Sequence, residues 1–130
     1  MSKKNINPKF SETISNFCDM VTEALSDYEW NKTEVNRLDR LTQDYLHQLE
    51  LNGLDYKDRA KVATKLTKCR QLRRASKDTV EILEPFVDFI ESDKGKQAMN
   101  FMKEALGKTR KVEKYMENRT YRYKELNVEE

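Results

Sequence analysis

Glycine and proline together fill only five of 130 positions, histidine occurs once, cysteine twice, and no long apolar run appears anywhere. Each scarcity excludes something. Too few turn formers are present for a protein of many short strands, and a chain with 37% charged and 37% hydrophobic residues has the profile of a helical, partly extended protein. Without an apolar run behind the basic opening "MSKKNINPKF", neither a secretory signal nor a membrane span is expected, and the chain is read as cytoplasmic. Cys18 and Cys69 stand far apart, each inside an apolar helical pattern and neither with a second Cys or His at ligand spacing. They read as reduced, buried thiols, with no disulfide and no zinc.

Catalytic chemistry is equally thin. His47 has Asp44 three residues before it, but no nucleophile nearby in sequence, so it reads as a surface residue. Gly53, Gly95 and Gly107 make no phosphate-cradling loop. Glu81, Glu84, Asp88 and Glu91 form an acidic helical face without a paired histidine, which suits solvation better than a metal. No enzyme, no metal and no cofactor are expected.

What the chain does have is helical period. Asn7 and Pro8 suit an N-cap and a first-turn proline, followed by Phe10, Ile14, Phe17, Cys18, Val21 and Leu25, so a first helix is expected over about 8–27. "DYEWNKTE" reads as a short connection in which Asn31 or Thr33 caps a second helix over about 33–51, carried by Val35, Leu38, Leu41, Tyr45 and Leu49. "NGLD" closes it, with Asn52 and Gly53 able to take left-handed angles and Asp55 able to cap the next helix. The series Val62, Leu66, Cys69, Leu72, Ser76, Val80, Leu83, Val87 and Ile90 predicts a third helix over about 56–92, kinked or split after Leu83 by Pro85 and stopped by Gly95. Ala98, Met102, Ala105, Thr109, Val112 and Met116 then alternate by four and three, the spacing of a coiled-coil seam, in a fourth helix over about 96–118. Gly107 inside it reads as a close helix approach or a bend. The fold class is all-α: one elongated helical bundle over 1–118, with a long antiparallel, coiled-coil-like hairpin of the third and fourth helices, and an extended tail over 119–130. A persistent apolar seam predicts a homodimer or a partner helix.

Charge is segregated beneath a net of +2. Residues 9–55 carry four cations against ten acids, 56–78 nine against two, 79–95 one against five, and 103–124 eight against three. Lys68, Arg70, Arg73, Arg74 and Lys77 form the first basic cluster, and Lys108, Arg110 and Lys111 belong to the second. In the tail, Arg119, Tyr121, Arg122 and Tyr123 alternate guanidinium with phenol, which suits base stacking or a protein hot spot. The basic faces have three readings: solvated surfaces paired with the acidic first and second helices, docking on an acidic protein, or contact with nucleic acid or a nucleotide.

The segments "TQDYLHQLEL" (42–51), "YKDRAKVATKLTKCRQLRR" (56–74), "LEPFVDF" (83–89) and "ALGKTRKVEKYMENRTY" (105–121), with "GKxRKxExxxENRxY" the most distinctive pattern, resemble small helical proteins encoded by phages and prophages of low-GC Gram-positive bacteria. The resemblance spans about 35–123 and brings no catalytic residue. It implies a non-enzymatic phage accessory protein in the cytoplasm of a bacterial host, binding stoichiometrically to inhibit or redirect a defence or nucleic-acid-handling complex. The alternatives are a DNA- or RNA-binding early regulator and a protein that sequesters a nucleotide immune signal.

Overall fold

A computed structural model describes residues 9–121 and 123–126. Three helices follow one another: α1 (Phe10–Leu51), α2 (Tyr56–Glu91) and α3 (Asp93–Asn118). The described residues contain no strand. At 1.5 Å per residue the 42 residues of α1 span about 63 Å, far more than a compact domain of this size needs.

The connection expected at "DYEWNKTE" does not exist, and α1 runs through it. This stretch holds neither glycine nor proline, and its side chains bridge successive turns. Asn31 donates its amide N–H to the Asp27 carbonyl at 2.8 Å, the Lys32 ammonium lies 5.1 Å from the Tyr28 ring centre, and Arg37 pairs with Glu34. A capping residue without a breaker beside it stays helical when i, i+4 contacts cross the site. The proposed first-turn pair Asn7 and Pro8 lies outside the described residues; α1 begins at Phe10, with Lys9 in the N-cap position and no side-chain cap of its own.

Gly53 turns the chain with φ +55°, and the Asp55 carboxylate caps α2 by accepting the Asp58 N–H at 2.8 Å. α2 then folds back antiparallel to α1. Cys69, buried, donates its thiol to the Leu38 carbonyl at 3.4 Å and lies 3.5 Å from the Thr42 hydroxyl. Leu38 and Val87 are the largest fully enclosed side chains, each worth about 1.5–3 kcal/mol when removed from water. Val21, Val62 and Ile90 are also buried.

Pro85 does not split α2, which is helical to Glu91. It sits on the exposed side, where water can take up the carbonyl it leaves without a partner, while Leu83, Val87 and Ile90 hold the inward face. The break comes at Ser92, which ends α2 and caps α3 together. Its hydroxyl oxygen accepts the Gly95 N–H at 3.1 Å and its own N–H reaches the Asp88 and Phe89 carbonyls. Gly95 is therefore not a stop but part of the first turn of α3. A β-carbon there would overlap the Phe89 carbonyl oxygen and lie 2.7 Å from Ile90 Cα, so only glycine lets the two helices turn this tightly. Gly107, read as a close approach, has nothing within 4 Å of where its β-carbon would be.

The main hairpin is α1 with α2, not the third predicted helix with the fourth. α3 packs against the N-terminal part of α1, also antiparallel to it. Met99 and Lys103 share a cleft with Cys18, Val21 and Leu25, and Glu113 reaches Ser11. α2 and α3 thus follow each other along one side of α1 and meet at the Ser92 corner.

Candidate binding surface

Because the first half of α2 packs on the second half of α1 and the end of α3 packs on the start of α1, the two basic clusters are held apart. Arg73 and Arg70 pair with Asp39 of α1, and Arg110 borders a cleft with Ser11, Glu12 and Glu113. Asp39 and Ser11 are 28 residues apart on one continuous helix, about 42 Å. The clusters form two zones at opposite ends of the molecule.

In the first zone, Arg73 is largely withdrawn, its side chain 18% exposed against Asp39. Arg70 is half exposed with its guanidinium 3.9 Å from the same carboxylate, and Arg74 stands 3.8 Å from Asp78. These two pairs are surface contacts worth little. At 100° per residue Arg70, Arg74 and Lys77 lie on the Asp39 flank of α2, whereas Lys68 points to the other flank and lines a cleft with Arg37, Leu38, Tyr45 and Leu72. The five cations are therefore split between two flanks.

Near the start of α1, Glu113 and Glu117 clamp the helix. The Ser11 N–H and hydroxyl both donate to the Glu113 carboxylate, at 2.9 and 2.6 Å, and the Lys9 ammonium donates to Glu117 at 3.1 Å. Glu113 supplies in trans the cap that Lys9 cannot, where unpaired N–H groups and the helix dipole favour negative charge. The Ser11 bonds hold its carboxyl below the ordinary glutamate value of 4.5, and Glu117 raises the Lys9 ammonium. Both glutamates belong to "GKxRKxExxxENRxY". Their signal was in the sequence, but as a pattern without a partner; Ser11 could be named only once α3 was placed.

Lys108 is exposed on α3, and Lys111 shares a shallow cleft with Lys114, Tyr115, Arg119 and Thr120. Tyr121 and Tyr123 meet edge to face, with ring centres 5.7 Å apart. Arg122 lies outside the described residues.

Compensation differs sharply between the two ends. Residues 10–31 of α1, which pack on α3 and on the end of α2, carry five acids (Glu12, Asp19, Glu23, Asp27, Glu29) and no Lys or Arg. Residues 32–51, which face α2, carry four acids and three cations. The basic half of α2, with nine cations against two acids over 56–78, thus meets an α1 segment of net −1, and with Asp55 in the turn between them this end carries +5. Charges within a Debye length of about 8–10 Å reinforce one another here.

The chain matches no family model, no curated protein and no solved structure. Among the described residues no group of His, Cys, Asp and Glu is arranged to hold a metal, and no helix is long and apolar enough to cross a membrane. His47 is exposed on α1.

Proposed function

We propose that this is a non-enzymatic accessory protein, of the phage-encoded kind its sequence resembles, acting in the host cytoplasm by stoichiometric binding to an acidic surface of a bacterial host or defence protein. The observation that supports the reading is the uncompensated charge at the α1–α2 hairpin end. Its cations are spread over 20 residues of one rigid helix, about 30 Å, so they form a track rather than a pocket. A protein partner is favoured over a nucleic acid by the hairpin tip. Leu51 and Tyr56 there are 75% and 89% exposed, and Tyr56 lines a small apolar cleft with Leu49, Arg59 and Ala60. Tyrosine and arginine are residue types enriched in protein hot spots, and Tyr56 and Arg59 stand together at this tip.

The test is a pull-down from host lysate with wild type and with Arg70→Glu/Arg74→Glu/Lys77→Glu. A protein retained near equal stoichiometry by the first, resistant to nuclease and lost by the second, is the expected result. Recovery that is indifferent to the charge reversal removes this face from the proposal. Recovery of nucleic acid, lost steeply with salt, replaces it with the regulator reading.

A further inference from the structure

The end of α3 gathers cations that the rest of the fold does not neutralise. From Lys108 to Arg119 it carries five (Lys108, Arg110, Lys111, Lys114, Arg119) against two acids, Glu113 and Glu117. Both acids are engaged by α1: Glu113 accepts the Ser11 N–H and hydroxyl, and Glu117 holds the Lys9 ammonium. Lys111, Lys114, Tyr115 and Asn118 stand at the spacing of one helical face, and Arg119 and Thr120 follow where α3 ends. These six residues line an open cleft of about 550 Å³ with no carboxylate in its wall. Among the described residues Lys111, Lys114 and Arg119 make no ion pair.

Each lining group has a chemical use. Three cations in one wall suit a polyanion, and the carbonyl end of α3 opposes it with only about half an elementary charge. Tyr115 is 66% exposed, so its ring offers a face on which a base can stack. Asn118 donates an amide N–H to the Lys114 carbonyl at 3.0 Å, which leaves its side-chain oxygen as an acceptor. The Thr120 hydroxyl has no partner among the described residues and can donate or accept. Phosphate, planar ring and the amine on a base edge are thus all answered in one cleft.

Size and neighbours decide between a free nucleotide and a nucleic-acid strand. The cleft falls within the roughly 300–1,000 Å³ of ordinary small-ligand sites. A strand needs a basic groove over about four nucleotides or more, but toward the start of α1 the next cleft is walled by Glu12, Glu113 and Glu117. A run of phosphates would stop there. The hairpin end offers less to a nucleotide: its acid-free cleft at Arg37, Tyr45, Lys65 and Lys68 holds about 160 Å³, and Arg37 is already paired with Glu34.

We propose that the cleft at the end of α3 binds a free nucleoside polyphosphate, with its phosphates on Lys111, Lys114 and Arg119 and its base against Tyr115. Asn118 and Thr120 meet the base edge. Three cations match a di- or triphosphate better than a lone phosphate. The site lies at the opposite end from Arg70, Arg74 and Lys77, so it goes beyond the binding role proposed for them and does not depend on it.

Titration calorimetry of the full chain with ATP and GTP tests this, beside inorganic triphosphate and a short oligothymidylate. Saturable binding of at least one nucleotide, at one per chain, is expected. Lys111→Ala/Lys114→Ala, both at exposed positions, should keep its helicity by circular dichroism and weaken that binding by ~tenfold or more. Tyr115→Leu should weaken it by ~fivefold or more while leaving inorganic triphosphate unchanged. Arg70→Glu/Arg74→Glu/Lys77→Glu should have little effect, because the two ends are several Debye lengths apart. Failure of both nucleotides to saturate the chain at millimolar concentration overturns the proposal. So does inorganic triphosphate binding as tightly as the nucleotides, an oligothymidylate binding more tightly, or loss of nucleotide binding with the charge reversal at the hairpin end.

Discussion

Glu113 ties the start of α1 to the end of α3 through two bonds to Ser11, and its titration carries a pH signature. The folded carboxyl sits below its unfolded value, so its contribution is complete above the ordinary glutamate range. That contribution is lost as pH falls through the depressed folded value. Glu113→Gln should lower the denaturation midpoint at pH 7, and the gap to wild type should close as the solution is acidified; urea melts at several pH values measure both. The two glycines of α3 predict opposite signs. Gly95→Ala forces a methyl into the Phe89 and Ile90 backbone and should cost about 1–3 kcal/mol, while Gly107→Ala meets open space and should gain about 1 kcal/mol. The same denaturant series decides between them. Sequence reasoning had these roles reversed: a glycine in mid-helix looks anomalous and one between helices looks like a stop, and only the corner geometry tells packing from punctuation.

Among the elements, the period of the apolar residues was legible nearly everywhere, and the partners were not. Val62, Cys69, Val87 and Ile90 are buried as their spacing demands, and Asp55 and Gly53 take their expected parts in the α1–α2 turn. The expected break near Trp30 failed because capping residues alone do not interrupt a helix, and the expected split at Pro85 failed because the proline lies on the outer face. Pro85→Ala should accordingly stabilise α2, by up to about 3 kcal/mol, read from thermal melts. Leu38→Ala, at a side chain 1% exposed, should cost about 2–5 kcal/mol by urea denaturation. The α3 seam shows where periodicity stops informing: it marks a face to be covered without saying by which helix, and within the chain α3 covers α1 with another face.

For the molecule as a whole, the charge blocks could be counted from sequence but not matched. Once α1 proved continuous, its acidic half fell opposite α3 and the end of α2, and its near-neutral half opposite the basic part of α2, which leaves one end at +5. That asymmetry predicts salt-sensitive association at the hairpin end, with on-rates for an acidic partner falling as ionic strength rises and with Arg70→Glu/Arg74→Glu/Lys77→Glu; stopped-flow mixing would read both. The uninterrupted α1 also sets the phase between the two ends. One residue inserted near Trp30 would turn its halves by about 100° and shift them by 1.5 Å, enough that α2 and α3 could not both keep their seats. In a loop such an insertion would pass unnoticed; in this helix it would make the two ends of the protein mutually exclusive.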